Sequence, residues 1–329
     1  MAPRRYCAWA IWALGAARSS GGADVMPYRD VQPQRESAES LWLGGLPPLE
    51  RANENLQWCE HYADAVPPIW DTGHAGVELA RLVKSGDYDA LGGQRARALV
   101  LACGTGSDAM FLLERGFGRV ACVDVCAAAL LQGVAKLWRR LQETRRNAHI
   151  LFVRGDGVVD RFAAPGLPAP GRSDPTIEFH ENDNLALRRQ LSPAADFVYD
   201  NSAYNNLRNP TAFPGKLQVY FEAVEALLEP GQGLLQIVSG SADSMAKIPF
   251  FPEHTEAELR ADLATHAPRL VALPGYPRKG VYDFRTDRAV LAHAQLSSAA
   301  VEQVERDGGT EGWVTLCRLG PPPADTEEL

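Results

Sequence analysis

The stretch Leu99–Asp124 constrains the fold more than any other part of this 329-residue chain. An apolar run breaks at Gly104-Thr105-Gly106, continues as a helix-like segment from Ser107, and returns to a second apolar run that ends in Asp124. That order is a β-turn-α-β unit, in which glycines let the backbone bend sharply and approach a ligand that the helix start also faces. Asp124 follows Gly104 by twenty positions, where such units place the acid that holds ribose hydroxyls.

Neighbouring residues disfavour two nucleotide sites. A dinucleotide site needs G-x-G-x-x-G to seat a pyrophosphate on the helix end, but Ala109 stands at the third glycine position. Asp108 falls in the first helical turn, where a carboxylate suits the helix dipole but repels a diphosphate. No Gly-Lys-Ser/Thr follows, so a P-loop fails as well.

With 46% hydrophobic and 22% charged residues the chain can bury a core, and its net charge of −8 carries no basic footprint for nucleic acid. A small-molecule partner is expected, with no nucleic acid; the oligomeric state stays open. The six cysteines, at 7, 59, 103, 122, 126 and 317, show no C-x-x-C pair and no zinc spacing, and no metal is expected. They read as reduced thiols, with Cys103 and Cys122 as small buried hydrophobes in strand runs and Cys59 near the pocket mouth, the one to test for reactivity. Arg4-Arg5 followed by the apolar Tyr6–Ala17 reads as a targeting peptide or a disordered start, too short to span a bilayer, so no integral membrane segment is expected. Residues 1–40 are set apart on this basis and 41–329 form one domain, in a cytoplasmic or organellar protein.

Along the chain, 53–65 reads as an amphipathic helix stopped by Pro67-Pro68, and Asp71 or Thr72 can cap a helix from about His74 to Lys84. Strands are expected at 98–103, 119–124, 149–154, 195–200, 234–239, 269–273 and 313–319, with an extra strand near 290–294. Helices are expected at 107–115, 126–144, 210–228 and 298–306, and Thr255 with Glu258 forms a capping box for a further one. The Pro-rich stretch of about 162–193 reads as an insertion, and its FHENDN run as a solvated loop. The fold expected is α/β, a doubly wound, Rossmann-like, seven-stranded and mostly parallel sheet with helices on both faces.

With the glycine turn, Asp124, Asp156, the YDNSAY loop and the LLEPGQGLL turn in register, the sequence resembles class I S-adenosylmethionine-dependent methyltransferases over roughly residues 55–320. Trp58, the run Pro68-Ile69-Trp70-Asp71-Thr72-Gly73 and FPEHTEAELRADL are similar to the thiopurine S-methyltransferase and halide or thiol methyltransferase group. Here Tyr62 stands in place of that group's second tryptophan, Ile69 intervenes before Trp70, and His74 replaces its arginine. The resemblance implies S-adenosylmethionine as cofactor and a thiol or halide/thiocyanate as acceptor. An N- or O-methyltransferase and a non-catalytic cofactor-binding module are the alternatives.

The same resemblance implies the roles of the site residues. Ala102, Cys103, Gly104, Thr105 and Gly106 would meet the methionine and ribose, Asp124 the ribose hydroxyls, and Val125 with Asp156 and Gly157 the adenine. Trp70 belongs to the cofactor site, Asp200 and Asn201 form the wall beside the sulfonium, and Tyr204 is the acceptor-side catalytic residue. Tyr62 and Phe250 complete an aromatic rim, while His74 and His254 are candidate bases.

Overall fold

The computed structural model describes residues 59–62, 68–85, 96–154, 158–164, 166–182, 195–201, 203–208, 215–242, 254–285, 298–307 and 309–321. Residues 1–58, Asp156-Gly157, 183–193, Phe250 and the expected 290–294 strand lie outside them.

Strand β1 (Arg97–Leu101) leads through the glycine turn into α2 (Ser107–Glu114), preceded in the chain by α1 (Val77–Lys84). Then come β2 (Arg119–Asp124), α3 (Ala127–Thr144), β3 (His149–Val153), β4 (Val159–Phe162), β5 (Thr176–Glu181) and β6 (Phe197–Asp200). The chain continues with α4 (Ala203–Leu207), α5 (Lys216–Leu227), β7 (Leu234–Gly240), α6 (Glu256–His266), β8 (Leu270–Ala272), β9 (Arg278–Asp283), α7 (Ser298–Asp307) and β10 (Gly309–Leu319).

All ten strands join one sheet in the order β4-β3-β5-β2-β1-β6-β7-β10-β8, with β9 also paired to β10. The six strands from β3 to β7 are mutually parallel, whereas β4 and β10 run antiparallel to their neighbours. Alternation along β1 shows why both faces are covered: Ala98 and Val100 enter one apolar cluster, Leu99 and Leu101 the other. The first cluster receives Leu79 from α1, Leu112 from α2 and Leu130 from α3; the second receives Tyr204, Phe221 and Leu259 from α4, α5 and α6. Each such fully buried side chain contributes about 1.5–3 kcal/mol, enough to hold an eight-residue helix that is marginal alone.

The expected doubly wound arrangement is present, but among the described residues the sheet has ten strands where seven were expected. Strands β4, β5 and β9 were not anticipated. The Pro-rich stretch taken for an insertion carries β5, which enters the sheet between β2 and β3 and pairs in parallel with both. Its register puts Glu181 level with Asp124, and the Asn182 N–H donates to the Asp124 carbonyl at 2.9 Å. Strand β3 is thereby moved one place further from β2. The FHENDN run, expected as a loop, is strand through Glu181, and His180 meets Glu178 at 2.9 Å while Arg119 holds that same carboxylate at 2.8 Å. The capping box at α6 is as expected, with Thr255 N–H to Glu258 at 2.8 Å and the reciprocal bond at 3.3 Å.

Candidate active site

The cleft opens at the carboxyl end of β1, between the turn that follows it and the segment upstream of α1. Ala102, Gly104 and Gly106, all at positive φ (45°, 53° and 74°), carry the chain from β1 into α2. Glycine adopts that conformation freely, while Ala102 accepts it at about 1–2 kcal/mol of strain. The turn is closed by Gly106 N–H to the Cys103 carbonyl at 2.8 Å and tied to β2 by Cys103 N–H to Val123 at 3.0 Å. The Asp124 carboxylate braces it, accepting from Gly104 N–H at 2.8 Å and Cys126 N–H at 2.9 Å. Burial raises the Asp124 pKa, and the amides of Cys126, Gly104 and Val125 oppose that rise.

Residues from upstream of α1 cover this turn. Tyr62 is buried over Gly104, where a Cβ would stand 2.5 Å from the phenol oxygen, and Trp70 Nε1 donates to that oxygen at 3.1 Å. Asp71, at 8% exposure, accepts from Thr105 Oγ1 at 3.0 Å and pairs with Lys136 Nζ of α3 at 3.2 Å. Thr105 and Lys136 also meet at 2.5 Å, so three segments distant in sequence share one buried polar knot. Sequence reasoning missed this role of Asp71, reading it as a helix cap. The available signal was a carboxylate beside Trp70 in an otherwise apolar run.

A second polar group surrounds the start of α1. Asp108 accepts from Gly76 N–H at 2.7 Å and Asp283 from Val77 N–H at 2.5 Å, so two distant carboxylates cap this helix. Burial pushes the Asp108 carboxyl up to about 7 and Asp283 up to about 6. The Tyr199 hydroxyl reaches the same place with no hydrogen-bond partner, and Oδ1 of Asp283 also lacks one.

The cleft encloses about 470 Å³, mouth included, and its wall brings together Tyr62, Trp70, Asp71, Thr72, His74, Gly76, Leu101–Thr105, Ser107, Asp108 and Asn201. Of the expected cofactor residues, Trp70, Ala102, Cys103, Gly104, Thr105 and Asn201 are therefore on the wall. Gly106, Asp124 and Val125 are not among the residues of that wall.

Three expectations need correction. Asp200 faces away from the cleft: fully buried, it caps α4 through Ala203 and Tyr204 N–H at 2.7 and 3.0 Å and accepts from the Tyr220 hydroxyl at 2.5 Å. Tyr204, expected to be catalytic, is buried in the second apolar cluster with its hydroxyl on Asp262 at 2.7 Å; desolvation there raises its pKa well out of the useful range. Cys103 and Cys122, expected as reduced thiols, form a disulfide across 5.7 Å between Cα atoms: Cys122 lies opposite Val100 in the paired strands β1 and β2, and Cys103 follows β1 by two residues. The candidate bases also separate: His74 lines the cleft, whereas His254 is sealed against Ser239 at 2.9 Å and burial pushes its pKa down to about 4.

No known family's sequence profile matches this chain, and no curated protein sequence does. Solved structures do. One determined in work on the conversion of a disulfide bond into a thioacetal group during echinomycin biosynthesis is 17% identical, with 83% of this chain and 94% of that one covered at a TM-score of 0.50. A SAM-dependent methyltransferase from Anabaena variabilis is 15% identical, covering 83% and 96% at 0.49. The 1,6-didemethyltoxoflavin-N1-methyltransferase of Burkholderia thailandensis, solved with S-adenosylhomocysteine, is 17% identical, covering 84% and 92% at 0.48. This chain is thus similar in fold to the echinomycin-pathway structure, over nearly the whole of that chain, and has a Rossmann-like α/β architecture with a mainly parallel mixed sheet.

Proposed function

We propose that this chain is an S-adenosylmethionine-dependent methyltransferase acting on a small acceptor. The observation that carries the reading is the Gly104 turn braced on Asp124 beneath Tyr62 and Trp70, with Asp108 at the helix start. Such a turn suits a ligand with ribose hydroxyls and positive charge, and repels a diphosphate. The cofactor, when bound, supplies a methyl group already activated by a sulfonium. Backbone from Ala102 to Gly106 would hold its methionine and ribose portion, Asp124 its hydroxyls, and Val125 with Asp156-Gly157 its adenine. Trp70 and Tyr62 offer aromatic faces to a cationic group.

The chain's contribution is alignment and exclusion of water, since orientation alone is worth about 7–11 kcal/mol when reacting atoms are held in place. A thiol or halide acceptor needs no strong base and fits a cleft rimmed by Tyr62, Trp70 and Asn201. A second reading, transfer to nitrogen or oxygen, is favoured by Asp108: a carboxyl at about 7 in the cleft wall is poised to take a proton from an amine or hydroxyl.

Calorimetric titration of S-adenosylmethionine and S-adenosylhomocysteine into the protein tests the cofactor. A product assay with iodide, thiocyanate, hydrogen sulfide and aromatic thiols, then with amines and hydroxyl compounds, assigns the acceptor. Turnover of the first set supports the thiol or halide reading, and turnover of the second supports the Asp108 reading. Binding without any turnover leaves a cofactor-binding module, and no binding removes the proposal.

A further inference from the structure

Four of the chain's six cysteines surround the glycine turn, but only Cys103 and Cys122 are joined. The other two, Cys59 and Cys126, are free thiols at the junction of the covering segment and α3. Cys59 packs against the small cluster of Tyr62, Cys126 and Ala129. Cys126 is buried at the N-cap of α3, while Cys59 is partly exposed and can be reached from solvent. Among the contacts of Tyr62, Gln132 Nε2 donates to its carbonyl at 2.9 Å and Trp70 Nε1 donates to its hydroxyl at 3.1 Å.

We propose that Cys59 and Cys126 form an oxidative modification site, in which a low-molecular-weight disulfide of the glutathione class links them and fastens Tyr62 over the glycine turn. Its effect on cofactor exchange rests on the cofactor reading above. Cys59, the reachable sulfur, attacks as its thiolate and displaces one small thiolate from the disulfide to form a mixed disulfide, and the proton Cys59 gave up passes to the thiolate released. Cys126 then attacks the Cys59 sulfur and releases the second small thiol. In sum, two protein thiols lose two electrons and two protons, and the small disulfide gains them.

The environment divides these roles between the two sulfurs. The Cys126 pKa is lowered by the neighbouring Cys59 thiol, and the amides of Ala129 and Ala128 in the first turn of α3 aim positive charge at it without forming a geometric cap. The Cys59 thiol is raised by its pairing with Cys126 and by desolvation, so Cys126 is the readier thiolate and serves the resolving step, while Cys59 supplies the access and attacks through its minor thiolate fraction. Since Tyr62 sits against Gly104 and beside Asp124, a link at Cys59 holds the cover where cofactor must enter and leave.

The test treats the full chain with oxidised glutathione and reads two things: the non-reducing peptide map, and the rate at which labelled S-adenosylhomocysteine is displaced. The expected results are a Cys59–Cys126 linked peptide two hydrogen masses lighter than the sum of its parts, and exchange slowed about tenfold or more, because the link must hold through every opening of the cover; tenfold is about 1.4 kcal/mol. Dithiothreitol should restore the rate. Cys59→Ser should show the rate of the reduced protein with and without oxidant, and since it retains Cys103 and Cys122 it separates their reduction from that of the new link. A map lacking the linked peptide overturns the modification site, and equal slowing in Cys59→Ser overturns the fastening. Absence of cofactor binding in the reduced protein overturns the functional reading instead, while the map still decides the modification.

Discussion

Asp124 and Asp200 end the two strands that flank β1, both are buried, and both accept hydrogen bonds from backbone N–H groups, yet their roles differ. Asp124 reaches back twenty residues to Gly104 and so shapes the turn after β1. Asp200 bonds three and four residues ahead on the backbone and is closed over by Tyr220. Register explains the divergence. Asp200 pairs with Leu101, whose side chain enters the second cluster, whereas Asp124 lies one residue past Val123, which enters that same cluster. One step along a strand turns a side chain to the opposite face, so the two acids emerge on opposite sides of the sheet. Position at a strand end beside the glycine turn therefore does not by itself place a carboxylate in the site.

The largest expected effect separates the pair by stability. Asp200→Ala strands the amides of Ala203 and Tyr204 and the Tyr220 hydroxyl, and should cost about 3–5 kcal/mol in denaturant unfolding. A loss under about 1 kcal/mol would break the comparison. Asp124→Ala should act the other way, weakening S-adenosylhomocysteine about 100-fold in calorimetry, the equivalent of about 2.7 kcal/mol, in a protein that still folds. Unchanged affinity would remove Asp124 from the site.

A third carboxyl sharpens the contrast through pH. Asp108 holds its proton to about 7 in the folded protein, against 3.8 as its ordinary value, so between those values the folded state binds the extra proton. Stability from this group is full below the lower value, falls as pH rises through the window by at most about 1.4 kcal/mol per unit, and levels off above it. Asp108→Asn, which keeps an acceptor for Gly76, should flatten that slope in thermal melts at pH 4 to 8. An unchanged slope would assign it to other groups. The smallest effect is a baseline for a surface cap: Thr255→Ala should cost about 1 kcal/mol and leave cofactor affinity unchanged, whereas a shift in affinity would show that α6 is coupled to the cleft.

The sequence by itself determined those features whose partners lie close along the chain. The turn at Gly104–Gly106 and the strands on either side were legible because backbone freedom and apolar runs are local properties. The capping box at Thr255 and Glu258 was legible for the same reason, since it closes within three residues. Tertiary structure alone decided the rest. Whether β5 lies inside the sheet depends on open edges of β2 and β3, and the prolines before it hid a six-residue strand. Tyr204 and Asp200 follow directly from a strand end, but the cluster their side chains join depends on register with β1. The Cys103–Cys122 bond, the Asp71–Lys136 knot and the Tyr62 cover each join segments that only the folded chain brings together. A local pattern specifies a conformation, whereas a site requires that several conformations meet, and where they meet is set by packing between segments distant in sequence.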